Sequence, residues 1–438
     1  MLKKIFSAFL IICLILSSVT TVSAYEPSGI EITAKAAILV SLDTGEVLFE
    51  KNADEKVYPA SITKIMTTLL ILENEKYNPE AKIAMTQDVL DLISGTGSSV
   101  SLLKAGEEVS QLDLVYMVLM ASYGDCALLA ALYYGGSIEN FVNMMNTKAA
   151  ELGLSGTHYE NPIGLHHEQN YTTARDTYTL TATALQNETF KEVCSSTRHT
   201  VKTSMSGERT ISTTNFLQDN TTNYYYQYAK GVKTGYTDEA GRCLVSTASY
   251  NGYRYLCAVF GCPANEKKHF IESKELYRWA FNNFEFKKVA DNSNPVAEIG
   301  VNLSLDTDFV SLYIEKSFVS VLPKDADDST ISIVTHLVGE SVDAPIKKGD
   351  VLGTADIIYA EEVIGTVNLV SNEDVEKSTM LAALRAIKNF FASSYMKVVY
   401  VIIAAAILIF IIAVIKMNSK GSKKRKIKYV PYDKDEKR

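Results

Sequence analysis

Ser61 and Lys64 are spaced to act on one another. They stand in Tyr58-Pro59-Ala60-Ser61-Ile62-Thr63-Lys64, and the apolar run 65–72 that follows reads as a buried helix. Three residues apart on a helix, the two side chains leave the same face. A serine hydroxyl attacks a carbonyl once a neighbouring base takes its proton. A lysine serves as that base when desolvation or a second cation lowers its pKa. Ser61 also falls at the first turn, where free N–H groups favour developing negative charge. The spacing alone carries little. Ser101–Lys104 and Ser394–Lys397 repeat it, and a helix cap beside a solvated lysine explains it equally well.

Other stretches give the pair company. The apolar helical run 111–134 is interrupted at Ala121-Ser122-Tyr123-Gly124-Asp125, a break that holds the Ser122 hydroxyl against a buried site. Residues 229–237 read as a strand carrying Lys233-Thr234-Gly235. The runs 244–250 and 253–260 form a hairpin about Asn251-Gly252. Lys233 and Thr234 therefore lie on an antiparallel sheet, and Gly235 lets a ligand backbone come close. Two further strands flank the turn Asp43-Thr44-Gly45-Glu46. Ser94-Gly95-Thr96-Gly97-Ser98-Ser99 is a polar loop near whatever the site binds. Glu160-Asn161-Pro162-Ile163-Gly164 is a turn, and Thr172 or Thr173 caps a helix starting in Tyr171–Asp176.

The ends define where the chain works. Residues 1–24 carry Lys3, Lys4, an apolar stretch 5–16 and Val22-Ser23-Ala24, the form of a cleaved secretory signal. Residues 398–415 are uncharged and long enough to cross a bilayer, and a basic tail, 416–438, follows. Positive charge after the span places the tail inside the cell and the rest outside, as a single-pass membrane protein with an extracellular catalytic domain. The formal net charge is −8. Lys3 and Lys4 contribute +2 and residues 397–438 a net +8, leaving −18 for residues 5–396. Such an ectodomain repels nucleic acid and anionic polymers.

Between the ends the expected order is a catalytic domain at 25–285, an all-β domain at 286–376 and an amphipathic linker helix at 377–397. Beyond Cys13 of the signal, five cysteines remain without C-x-x-C spacing. They read as free buried thiols or at most one bridge. The six histidines are scattered, only His166 and His167 being adjacent, so no metal and no cofactor are expected.

Ser61-x-x-Lys64, Ser122 and Lys233-Thr234-Gly235, in that order, resemble the three motifs of the serine penicillin-recognising enzymes. With 59–64, 171–176 and 231–237, the chain looks most like the low-molecular-mass penicillin-binding proteins, the serine D-alanyl-D-alanine carboxypeptidases. The resemblance implies an α/β (α+β) catalytic domain with a five-stranded antiparallel sheet flanked by helices, followed by a small all-β domain. It implies removal of the terminal D-alanine from peptidoglycan pentapeptide stems through an acyl-enzyme on Ser61, inhibited by β-lactams. Lys64 would be the base, and Ser122 would relay a proton to the leaving amine. Lys233 and Thr234 would hold the terminal carboxylate beside Gly235, and the N–H groups of Ser61 and Tyr236 would form the oxyanion hole. One position departs: the family's second motif is usually Ser-x-Asn, and here it is Ser122-Tyr123-Gly124, which removes an amide from the cleft. Two other readings stand beside this one. One is a β-lactamase or esterase on the same scaffold, although Glu160 lacks the Glu-x-x-Leu-Asn pattern. The other is a non-catalytic wall-binding homologue, which Gly124 alone favours.

Overall fold

The computed structural model describes residues 30–420, so the signal segment 1–24 and the tail from 421 onward lie outside the described residues. Among the described residues two compact units emerge, residues 30–289 with 318–331, and residues 290–317 with 332–420.

The first unit is built on a five-stranded sheet. Its strands are numbered along the chain with two small hairpins: β1 (Ala36–Ser41), β2 (Val47–Lys51), β3 (Lys82–Ala84), β4 (Glu108–Ser110), β5 (Arg198–Thr203), β6 (Gly207–Ser212), β7 (Ala229–Thr237), β8 (Gly241–Tyr250) and β9 (Tyr253–Cys262). The sheet order is β2-β1-β9-β8-β7, antiparallel throughout. Asn251 and Gly252, at φ 50° and 87°, make the tight turn between β8 and β9 that their identity predicts. β3 pairs with β4 and β5 with β6 away from the sheet.

Both faces of the sheet are covered. Along β1, Ala36, Ile38 and Val40 enter one apolar cluster and Ala37 and Leu39 the other. β9 divides the same way, Leu256, Ala258 and Phe260 against Tyr255, Cys257 and Val259. Period-two alternation thus survives inside an unbroken apolar run, because each face meets helices. On one side the helix Lys64–Glu73 buries every residue from Lys64 to Ile71, packed among Gln111–Leu119 and Gly124–Gly135. On the other, Leu276, Tyr277 and Ala280 of the helix Lys268–Asn283 cover the sheet.

Side-chain caps set several helix starts. Thr86, Ser110, Ser137, Thr173 and Asn187 each accept a hydrogen bond from the backbone N–H three residues on. Thr173, of the two threonines expected, is the cap. The five described cysteines, Cys126, Cys194, Cys243, Cys257 and Cys262, are free and buried. Burial pushes their thiols up, to about 12 at Cys194, Cys243 and Cys257.

Residues 318–331 belong with the first unit although they follow the start of the second in sequence. Ser320 Oγ and Val321 N both donate to the Glu46 carboxylate in the turn after β1. The second unit carries a six-stranded sheet formed by the strands Pro295–Asn302, Phe309–Ile314, Ile331–Leu337, Ser341–Asp343, Val351–Tyr359 and Glu362–Ser371. The helix Thr379–Ala392 follows, then Ser394–Lys420. Within the latter, Ser394–Met417 is apolar and long enough to cross a membrane, extending the 398–415 read from sequence at both ends.

Candidate active site

Ser61 occupies a single 3-10 turn, Ala60–Thr63, that feeds directly into the helix Lys64–Glu73. Ala60 takes φ +46°, a left-handed conformation that costs a non-glycine residue about 1–3 kcal/mol and persists only where packing enforces it. Gly164 supplies that enforcement. A Cβ there would fall 1.9 Å from the Ala60 carbonyl oxygen. Gly235 on β7 crowds the turn as well, since its Cβ would stand 3.0 Å from Pro59 O and 3.2 Å from Ser61 N. Glycine at 235 thus brings the sheet edge against the backbone amide of Ser61, so the close neighbour is the chain's own turn, where the sequence predicts a ligand backbone.

Lys64 Nζ lies 2.9 Å from Ser61 Oγ and donates to Ile163 O at 2.8 Å. The lysine is fully buried, and burial brings its pKa down to about 7 against an opposing pull from the Asp125 carboxylate. A good share of Lys64 is therefore the neutral amine near pH 7, able to accept the Ser61 proton across that contact. Lys233 is also buried, 1 % exposed, and its Nζ donates to Thr234 O at 2.9 Å. Its pKa falls well below the usual lysine value, first through burial and then through the charge of Lys64. The two cations oppose one another, as a shared buried site requires.

Ser122 sits at the break between Gln111–Leu119 and Gly124–Gly135, 7 % exposed and at φ +68°. Ser122 is thus itself held in a strained backbone, whereas at the Ser61 turn the strained residue is Ala60. Thr234 Oγ1 donates to Thr214 Oγ1 at 2.7 Å, and the Tyr236 hydroxyl turns away to Asp238 Oδ1 at 2.6 Å. Ser61 and Lys64 are in direct contact, Gly235 of β7 packs on their turn, and Lys233 and Lys64 are coupled through charge. Gly124 is tied by its N–H to Ser99 O at 2.7 Å, which brings in the 94–99 loop.

Other residues matter here that motif reading passes over. Asn161 Oδ1 accepts from the backbone N–H of Ile163, Gly164 and Leu165, winding the turn around one side chain. That turn presents Ile163 O to Lys64 and Pro162 O to Thr67 Oγ1. The segment 171–176 is architectural. Thr172 bridges Val57, and Arg175 pairs with Glu50 and Asp54, which fixes the approach to Pro59. The signals in the sequence are Asn161-Pro162 for the turn and Thr172-Thr173 for this segment.

A serine in contact with a buried lysine of lowered pKa, beside an antiparallel sheet covered on both faces with a strand-borne Lys-Thr-Gly, defines a penicillin-recognising serine acyl-transfer fold. A family model described as D-alanyl-D-alanine carboxypeptidase matches residues 20–264, and one for the C-terminal domain of penicillin-binding protein 5 matches 284–377. The chain belongs to the D-alanyl-D-alanine carboxypeptidase family, and it is a serine-type carboxypeptidase of the low-molecular-mass penicillin-binding class. It is 31% identical to D-alanyl-D-alanine carboxypeptidase DacF of Bacillus subtilis, over 80% of this chain and 88% of that one. To DacA of Escherichia coli K12 it is 29% identical over 82% and 87%. Penicillin-binding protein 5 of Haemophilus influenzae superposes with a TM-score of 0.66 at 28% identity, covering 80% of this chain and 99% of that one. The Streptomyces K15 DD-transpeptidase superposes with a TM-score of 0.54 at 28% identity, covering 58% and 98%.

Proposed function

We propose that this chain removes the terminal D-alanine from peptidoglycan stem pentapeptides, with Ser61 as nucleophile. The contact between Ser61 Oγ and Lys64 Nζ at 2.9 Å carries the reading. Neutral Lys64 takes the hydroxyl proton as Ser61 Oγ bonds to the carbonyl carbon of the penultimate D-alanine. The resulting oxyanion is met by the N–H groups of Ser61 and Tyr236, each donor stabilising it by roughly 3–4 kcal/mol. Collapse breaks the peptide bond as Ser122 gives its proton to the departing D-alanine nitrogen and regains one from protonated Lys64, which returns to the neutral amine. Water then attacks the acyl-Ser61 ester and returns the free serine. Lys233 and Thr234 hold the substrate's terminal carboxylate. An arriving anion favours the charged form of Lys233, which in turn keeps Lys64 neutral. β-Lactams present a carboxylate and a strained amide to the same groups and acylate Ser61 without ready release.

The chain is exported and held at the membrane by the apolar helix Ser394–Met417, with its catalytic domain outside the cell. The experiment is mass spectrometry of the full chain after penicillin, beside D-alanine release from a diacetyl-Lys-D-Ala-D-Ala peptide. A penicilloyl adduct on Ser61 with D-alanine release is expected. No adduct on Ser61 would overturn the assignment.

A further inference from the structure

We propose that Ser98 supplies the cleft wall with a substrate-facing hydroxyl in place of a side chain at position 124. The proposal rests on the reading of Ser61 given above. Gly124 opens the helix Gly124–Gly135 without a left-handed backbone, so conformation does not require glycine there. Space does. A Cβ on Gly124 would stand 2.3 Å from Ser98 Oγ and 3.1 Å from both Ser98 Cβ and Ile93 Cδ1. By ordinary bond lengths and angles an asparagine carries its amide oxygen and nitrogen about 2.4 Å from its own Cβ. The Ser98 hydroxyl therefore lies at the reach where an amide at 124 would put its polar atoms. It brings one donor and two acceptor lone pairs there.

The loop is fastened to deliver it. Gly124 N donates to Ser99 O at 2.7 Å. Ser101 N donates to both carboxylate oxygens of Asp125, at 2.9 and 3.0 Å, and Ser101 Oγ donates to Oδ2 at 2.5 Å. Arg209 Nη1 closes the far side on Ser101 O at 2.6 Å. Ser98 itself is half-buried, its N–H bonded to Thr96 Oγ1 at 3.3 Å, and its hydroxyl has no hydrogen-bond partner among the described residues. A fixed loop thus holds an uncommitted hydroxyl against Gly124, the residue two positions along from Ser122. Glycine at 124 and serine at 98 form a matched pair, one making room for the other.

The test compares the full chain in detergent as wild type, Ser98→Ala, Gly124→Asn and the double variant Ser98→Gly with Gly124→Asn. Each is measured for kcat and KM on the diacetyl-Lys-D-Ala-D-Ala peptide and for melting temperature. Loss of one substrate hydrogen bond lowers kcat/KM of Ser98→Ala about tenfold, with the melting temperature unchanged. Gly124→Asn loses at least as much by collision. The double variant recovers most of the activity, because an amide now stands where the hydroxyl stood, a rescue that a packing role for Ser98 does not produce. Ser98→Ala within about twofold of wild type, or a double variant no better than Gly124→Asn alone, overturns the proposal. Should Gly124→Asn not fold, Ser98→Ala alone decides. D-alanine release that survives Ser61→Ala would instead bring down the reading of Ser61, and this proposal with it.

Discussion

The two serine-bearing walls of the site are held by different means. The Ser61 wall is packing. Eight consecutive residues from Lys64 are buried, Gly164 and Gly235 both press on the turn, and main-chain carbonyls take up the polar groups. The Ser122 wall is a clasp. A half-exposed loop is fastened by Ser99, Ser101 and Asp125 to the first turn of a helix. Proton transfer needs a pKa set by deep burial, and only the first wall provides it. A hydrogen-bonded loop can change its residues without disturbing that burial, so variation in substrate contacts belongs on the second wall.

The largest test removes the chemistry from the packed wall. Ser61→Ala should lower D-alanine release by more than about a thousandfold and eliminate the penicillin adduct, with stability unchanged. Next comes the packing. Ile65→Ala should cost about 2–5 kcal/mol in a denaturant melt, whereas Thr96→Ala on the loop should cost less than about 1 kcal/mol. Equal costs would erase the contrast between the walls.

A smaller effect links the two. Asp125 raises the Lys64 pKa against burial, so Asp125→Asn should move the acid limb of the kcat/KM profile below its wild-type position near 7. A shift upward would contradict the geometry. The same burial predicts a pH-dependent stability. With Lys64 at about 7 when folded and 10.5 as its ordinary value, the unfolded chain binds the extra proton between those limits. Stability therefore gains from this residue as pH rises through that window, and Lys64→Met should flatten the gain. The smallest change is Tyr236→Phe. Its ring is 45% exposed and its hydroxyl serves Asp238, so activity should stay within about twofold if only the backbone N–H acts.

The packed wall was legible in the sequence because each of its requirements leaves a residue-level mark. These are serine and lysine at helical spacing, an apolar run behind them, an Asn-Gly hairpin, and a glycine after Lys233-Thr234. The clasp was not. Deletion of an amide at Gly124 is visible, but the hydroxyl that lies beside it arrives from 26 residues upstream through a loop with no periodicity. The β3–β4 and β5–β6 hairpins were also passed over. Their strands are three to six residues long and half-exposed, and they alternate too weakly to announce themselves. Asn161 acts through the carbonyls it arranges, and side-chain identity says nothing of a neighbour's carbonyl. Residues 318–331 join the first unit through Glu46, some 274 positions away from Ser320, a pairing that no local pattern encodes.

The five buried thiols leave the described surface without a reactive cysteine. Maleimides and iodoacetamides attack accessible thiolates, and these sulfurs are neither accessible nor easily ionised. A single cysteine installed on the 94–99 loop would therefore be the one readily labelled position among the described residues. A fluorophore or spin label there would report whether the clasp stays shut during turnover, without any of the five buried cysteines having to be replaced first.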